Sequence, residues 1–454
     1  MYRQQLAYLN NWLTDKLRKP LIIRGARQVG KSTLVRLLSA QSQLELVELN
    51  FERDPELSSL FKSNDPKKII QLVSLQTGKI IRPKQCLLFL DEIQASATAI
   101  VSLRYFYEEL PELHILAAGS LLEFTLSQAE FSMPVGRIEY LHLGSMNFEE
   151  FLMALNQEGL VDFLKNYQLK EEIPKTIHDK LMDFIKIYFI IGGMPASIKA
   201  YIQDNSFLAS EKAKQSIIST YQDDFGKYAS LTKHDLIRQI FHKIPAMIGK
   251  KFKYSQISQE IKAATVSTAL NQLCLARVAW KVHHSAANGL PLGAEQNNRF
   301  FKVLFLDIGL VSTSLSLTYL NMIELHELNF INNGELAEQF VGQHLLYSQQ
   351  PYEEPNLYYW VREKKSSSAE LDYIINIGQK IIPIEVKAGK TGQMKSLHQF
   401  MKEKQRHLAI RFNSTPPNKM LVTHKLPDGK NVQFQLISLP FYMIGQLGRL
   451  INLD

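Results

Sequence analysis

The stretch Gly25-Ala26-Arg27-Gln28-Val29-Gly30-Lys31-Ser32-Thr33 limits the fold more than any other part of the chain. Its spacing, G-x-x-x-x-G-K-[ST], is that of a phosphate-binding P-loop. Before it, Leu21-Ile22-Ile23 reads as a buried strand, and after it Leu34, Val35, Leu37 and Leu38 recur at helical spacing. Strand, glycine-rich turn and helix form the setting in which backbone N–H groups converge on a phosphate at the positive end of a helix. In that setting Gly25 to Thr33 line a nucleotide, Lys31 reaches its β- and γ-phosphates, and the Ser32 hydroxyl holds Mg²⁺.

Further along, Cys86-Leu87-Leu88-Phe89-Leu90-Asp91-Glu92 is an apolar run that ends in two acids. About sixty residues after a P-loop this predicts a Walker B strand. Asp91 is the expected Mg²⁺ ligand and Glu92 the residue that orients or deprotonates the attacking water. The next buried strand, His114 to Ser120, ends in a hydroxyl that could sense the γ-phosphate or simply cap a following helix. Arg137, in Val135-Gly136-Arg137, is a candidate to stabilise the transferring phosphoryl group, in cis or in trans. An exposed loop arginine is the plainer reading of the same residue. Strands alternating with helical stretches predict an α/β fold around a parallel sheet covered on both faces.

At 454 residues the chain exceeds a single core, and about three domains are expected. A net charge of +8 permits a nucleic-acid partner without requiring one. Cys86 and Cys274 fit neither a zinc pattern nor a disulfide framework, the usage of a reducing compartment. The N-terminus lacks an apolar signal region, and no run has the length of a membrane span. A cytoplasmic protein with no membrane partner is expected.

Residues 1–146 then form the P-loop core, and 147–228 a helical lid broken at Ile191-Gly192-Gly193-Met194-Pro195. Within 229–324, Ser255 to Lys262 reads as a short helix. Thr265 caps a second, and strands Arg277 to His283 and Arg299 to Phe305 complete a winged-helix-like module. Such a module can present its second helix to DNA, but basic residues there are few, which favours a packing role.

Residues 325–454 hold a second constellation. Glu370 to Asn376 and Lys380 to Lys387 are strand-like, with Gly378-Gln379 suited to a type II′ turn between them. That turn pairs 377 with 380, which places Asp372 opposite Glu385 and puts Glu385 and Lys387 on one face. Two carboxylates so placed can hold Mg²⁺, and a lysine beside them can assist a water. The spacing D-x(12)-E-x-K fits the PD-(D/E)xK nuclease pattern, with Glu338 on the preceding helix as a further acid. A solvated strand pair with a cross-strand salt bridge is the competing reading.

Taken in order, the motifs resemble a prokaryotic family of AAA-type P-loop ATPases with a C-terminal domain of unknown function. They are Gly25 to Ser32, Leu90-Asp91-Glu92-Ile93-Gln94, Gly136-Arg137, Gly192-Gly193-Met194-Pro195, Phe305-Leu306-Asp307-Ile308-Gly309, Gly334 to Glu338, Glu370-Leu371-Asp372 and Ile384-Glu385-Val386-Lys387. One departure is Ala118-Gly119-Ser120, where threonine often precedes the glycine. The resemblance implies a winged helix joined to a restriction-endonuclease-like fold, and ATP with Mg²⁺ as cofactors. The leading expectation is an ATPase with Lys31, Glu92 and Arg137 in catalytic roles. The alternatives are an ATP-gated nuclease or DNA-binding switch using Glu338, Asp372, Glu385 and Lys387, and a regulator in which ATP only stabilises a closed state. Candidate partners are ATP, DNA and a second copy of the chain.

Overall fold

The computed structural model describes the chain apart from residues 121, 123–132, 228–230, 318–333, 363–368, 389–393, 426–430 and 453–454. The boundaries expected at 228 and 324 fall outside the described residues.

The first sheet contains β1 (Leu21–Arg24), β2 (Glu45–Asn50), β3 (Cys86–Asp91), β4 (His114–Gly119) and β5 (Glu139–His142), in the order β2-β3-β4-β1-β5. All neighbours are parallel. β3 and β4 are buried along their whole length, as their unbroken apolar runs predict for strands covered on both faces. β5 was not expected from the sequence. It is a short edge strand buried only at its last two residues, so it carries no apolar run. An N-terminal helix, Gln5–Thr14, precedes β1, and its buried side chains are Leu6, Leu9 and Trp12.

Helices Phe148–Ala154, Glu158–Asn166, Lys175–Ile191, Pro195–Asp204 and Phe207–Asp224 follow. The first has a capping box, with Asn147 Oδ1 accepting from Glu150 N and Glu150 Oε2 accepting from Asn147 N. The break at Gly192-Gly193 is fastened from far along the chain. Asp307 Oδ2 accepts from Gly193 N at 2.7 Å while Oδ1 accepts from Gly309 N at 2.9 Å.

The next region departs from the expected pattern at two points. Ser255 to Lys262 contains no α-helix, only the single turn Tyr254–Gln256. Ser258 Oγ accepts from Glu260 N and Ile261 N, a local side-chain turn that competes with helical pairing. The following helix is Ala263–Leu275 with Lys262 at its N-cap, so Thr265 lies inside it. The two alanines before Thr265 are strong helix formers and extend the helix towards its N-terminus.

A second, mixed sheet is built from β6 (Ala279–Ser285), β7 (Gln296–Phe305), β8 (Tyr358–Val361), β9 (Glu370–Ile377), β10 (Lys380–Val386), β11 (Leu408–Asn413), β12 (Asn418–Lys425) and β13 (Asn431–Pro440). Its order is β12-β13-β11-β10-β9-β8-β6-β7. The hairpin β6–β7, expected as part of a separate module, is the edge of this sheet, because β6 pairs in parallel with β8 at His283↔Tyr358 and His284↔Tyr359. One continuous apolar core runs from Leu34 and Leu116 beside β1 through Tyr188 and Phe189 to Phe340 and Tyr373. Smaller clusters cover the outer faces of the two sheets.

Candidate functional site

The P-loop leaves the end of β1 and enters the helix Lys31–Ser42. Gln28 and Gly30 have φ of 63° and 98°, so the loop alternates between the two hands of the backbone. That alternation turns successive N–H groups inward as an anion nest, and Gly30 adopts its angle without a Cβ penalty. Lys31 is buried, and its ammonium donates to Gly25 O at 3.0 Å and Ala26 O at 2.8 Å. Burial lowers its pKa to about 8, against the opposing pull of Glu92 and Asp91. A buried cation bonded only to neutral carbonyls is poised to exchange them for an anion. Thr33, two residues after Lys31, is exposed.

Ser32 Oγ lies 3.2 and 3.1 Å from the two Asp91 oxygens, and Asn50 Nδ2 donates to Asp91 Oδ2 at 3.1 Å. A hydroxyl and a carboxylate at this separation fit the two protein ligands of an ATP-bound Mg²⁺. Burial raises the Asp91 pKa, with Glu92 adding to the effect and the Ser32 hydroxyl opposing it. Glu92 has φ 51° and ψ 45°, a left-handed conformation that a side-chain-bearing residue keeps only where its surroundings enforce it. Gln94 Nε2 donates to Glu92 Oε2 at 2.6 Å.

Because β4 lies between β1 and β3, Ser120 emerges between the P-loop and the two acids. Its hydroxyl accepts from Arg27 Nε at 3.1 Å and donates to Glu92 Oε2 at 3.4 Å. Arg27 also pairs with Asp224 at the end of helix Phe207–Asp224, Nη1 to Oδ1 at 2.7 Å, and Tyr221 of that helix donates to Arg27 O at 2.5 Å. The lid helix is thus bonded directly to the P-loop. Sequence reasoning assigned nothing to Asn50, Tyr221 or Asp224, and only spatial proximity identifies them.

Arg137 stands apart from this group. β5 runs parallel to β1 with Glu139 opposite Leu21, so Arg137 lies at the edge of the sheet where β1 begins. The P-loop leaves from the other edge. Arg137 Nε donates to Glu108 at 3.0 Å on an exposed surface. In this arrangement Arg137 lies away from the P-loop and is engaged by Glu108.

In the second sheet, the register matches the expected one: Lys380 pairs with Ile377 and Ile384 with Tyr373. Gly378, at φ 55°, begins the turn. The next position on each strand is Asp372 and Glu385. Asp372 Oδ2 accepts from Val386 N at 2.7 Å, and Lys387 Nζ lies 2.5 Å from Glu385 Oε1. Glu338 reaches the same place from helix Gly334–Leu346. Two residues absent from the sequence expectation join them, Glu370 and Lys302. Lys302 Nζ lies 2.7 Å from Glu338 Oε1, 2.6 Å from Glu370 Oε1 and 4.0 Å from Asp372 Oδ1. Burial alone would lower the Lys302 pKa, but Glu338, Asp372 and Glu370 together hold it above the ordinary lysine range. Burial pushes the carboxyls of Glu338, Asp372 and Glu385 upward. Among the described residues no group of three or more His, Cys, Asp or Glu is placed to hold a metal ion. The carboxylates that would do so here are already gathered around an ammonium. A signal for Lys302 existed in the sequence: it is the one charge inside Phe300-Phe301-Lys302-Val303-Leu304-Phe305.

Comparison with known proteins adds family assignments for three segments. Residues 17–152 match the model of an AAA domain, 182–321 that of a domain of unknown function (DUF8612), and 333–441 that of another (DUF4143). No curated protein matches the chain. Similar solved structures include the Aeropyrum pernix ORC2 protein in ADPNP–ADP complexes, at 14% identity over 71% of this chain and 95% of that one, with a TM-score of 0.34. The Thermotoga maritima RuvB Holliday junction branch migration motor aligns at 13% identity over 62% of this chain and 88% of its own, with a TM-score of 0.27. PCH-2 of C. elegans aligns at 12% over 47% and 67%, with a TM-score of 0.28. At scores this low none of the three bears on what the chain does. No single helix among the described residues is long and apolar enough to cross a membrane. The chain carries an AAA-type P-loop domain in its first third and ends in a domain to which no function is assigned.

Proposed function

We propose that the chain binds ATP with Mg²⁺ at the P-loop and hydrolyses it to ADP and phosphate, using the cycle to switch conformation. The observation that carries this reading is the Lys31 ammonium, buried against neutral carbonyls beside the Ser32–Asp91 pair. Lys31 turns from the loop carbonyls to the β- and γ-phosphates. Ser32 and Asp91 hold Mg²⁺, which when bound draws charge from the phosphate oxygens. Glu92 accepts the proton of the attacking water, and Gln94 and Ser120 hold its carboxylate in place.

The switch has a physical route. Arg27 and the P-loop backbone are bonded to Asp224 and Tyr221 of the lid helix, so a phosphate that reshapes the loop also pulls on the lid. Arg137 fits a trans role between copies, which makes self-association part of the proposal. A nuclease using Glu338, Asp372, Glu385 and Lys387 is a weaker reading because Lys302 stands among those carboxylates, and a DNA-binding role for helix Ala263–Leu275 is weaker because that helix carries no lysine or arginine.

The test is ATP turnover by wild type and Glu92→Gln, with nucleotide binding measured alongside. The variant should keep ATP bound and lose at least about a hundredfold in turnover, as removal of a general base does. Equal turnover in the two proteins would remove Glu92 from the chemistry, and no turnover in wild type would reject the ATPase reading.

A further inference from the structure

The second sheet gathers four carboxylates, Glu338, Glu370, Asp372 and Glu385, around two lysines, Lys302 and Lys387. Lys387 comes from the same strand as Glu385 and pairs with it. Lys302 comes from β7, three strands away from β9 in the sheet order, and enters from the hairpin side. It is 2% exposed, and its ammonium approaches oxygens supplied by helix Gly334–Leu346 and by β9. The Tyr359 ring lies 5.3 Å away on a further side. The surroundings of this ammonium are built by elements that are distant in sequence, and the lysine itself is buried while Glu370 reaches the surface.

We infer that Lys302 is the resident cation of this site, occupying the position a divalent ion would need, so that the wild-type site excludes Mg²⁺ and Mn²⁺. The argument is one of charge and room. Mg²⁺ needs oxygens at about 2.0–2.1 Å in near-octahedral array. Glu338 and Glu370 instead have oxygens at 2.7 and 2.6 Å from one nitrogen, the spacing of charge-assisted hydrogen bonds. An ion cannot share that point with an ammonium, and the lysine cannot leave without its charge losing all its partners in a buried setting. One donor atom is left over: Glu385 Oε2 is buried and has no hydrogen-bond partner. With Lys302 removed, Glu338, Asp372 and Glu385 lose a neighbouring positive charge, which a divalent ion would replace once their side chains regroup around it. The same bonds fasten the β6–β7 hairpin to the C-terminal half of the sheet. Metal-dependent chemistry at this site therefore requires Lys302 to be withdrawn, and the inference does not depend on the ATPase reading.

The experiment is Mn²⁺ titration of the nucleotide-free, full-length protein, read by calorimetry and by thermal melting. The proteins are wild type, Lys302→Met, Lys302→Arg, Lys302→Met with Glu385→Gln, and Asp372→Asn with Glu385→Gln. Wild type and Lys302→Arg should show no Mn²⁺ binding beyond that of the Asp372→Asn, Glu385→Gln variant, which keeps the P-loop intact. Lys302→Met should bind Mn²⁺ at least about tenfold more tightly than wild type, melt higher when it is added, and lose both effects with Glu385→Gln. Two results would overturn the inference. One is Mn²⁺ binding by wild type that disappears in Asp372→Asn, Glu385→Gln. The other is a folded Lys302→Met that gains none. Should Lys302→Met not fold, the wild-type arm decides alone.

Discussion

Lys31 in the P-loop and Lys302 on β7 are both buried, at 7% and 2% exposure, yet burial has opposite consequences at the two sites. Lys31 is bonded to two backbone carbonyls, and desolvation lowers its pKa to about 8. Lys302 is bonded to carboxylates, which overcome the same desolvation and hold its proton more firmly than in water. A buried ammonium with neutral partners is an incomplete arrangement, and an anion completes it. A buried ammonium with anionic partners is already complete, and a second cation has no place there. The two sites share a geometry of acids at strand ends near a lysine. They differ in whether the charge is left for a ligand to balance.

Removing each cation should break the comparison in a predictable way. The largest expected effect is on stability in Lys302→Met, which leaves buried carboxylates unbalanced. A loss of about 3–5 kcal/mol in denaturant unfolding is expected, since one partner of a buried ionic cluster has been taken away. A loss below about 1 kcal/mol would mean that water already solvates the cluster.

Lys31→Met should do the reverse. Nucleotide binding should weaken at least about tenfold, or about 1.4 kcal/mol. The melting temperature without nucleotide should stay level or rise, because a cation held at a desolvation penalty has gone. Calorimetry and melting curves on the same preparation check both halves, and a lower melting temperature would contradict the picture of an unbalanced Lys31.

A smaller effect is expected from pH. Phosphate favours the protonated lysine, so nucleotide raises the pKa from its depressed value near 8. Below that value Lys31 is charged with or without ligand, and affinity should be flat. Above it, binding must take up a proton, and affinity should fall by about fourfold between pH 7 and pH 8.5. In Lys31→Met this slope should vanish. Arg137 supplies the smallest effect: it is an exposed cation with its own carboxylate, Glu108. Arg137→Ala should leave both the melting temperature and single-chain ATP affinity at wild-type values.

Much of the first site was legible because its chemistry is contiguous. Gly25 to Thr33 form a nest through their own backbone angles, and the apolar run into Asp91-Glu92 gives the strand and the acids together. The hairpin was legible for a similar reason. Gly378 and Gln379 fix the turn, and a period of two then fixes which residues face each other. The short helix expected over Ser255 to Lys262 failed because apolar spacing does not register a serine hydroxyl that captures neighbouring N–H groups.

By itself the sequence determined what a local backbone can specify: the phosphate nest, the Walker B acids, and the opposition of Asp372 and Glu385. Tertiary structure decided strand order, and with it the placement of Ser120 between the P-loop and Glu92 and of Arg137 on the far edge of the sheet. It also decided that Lys302, 36 residues before Glu338, would close the carboxylate site. The physical reason is that hydrogen-bonded turns and side-chain periodicity act over a few residues. The partner of a buried charge is chosen by which distant elements pack together, and neither the charge nor its strand encodes that choice.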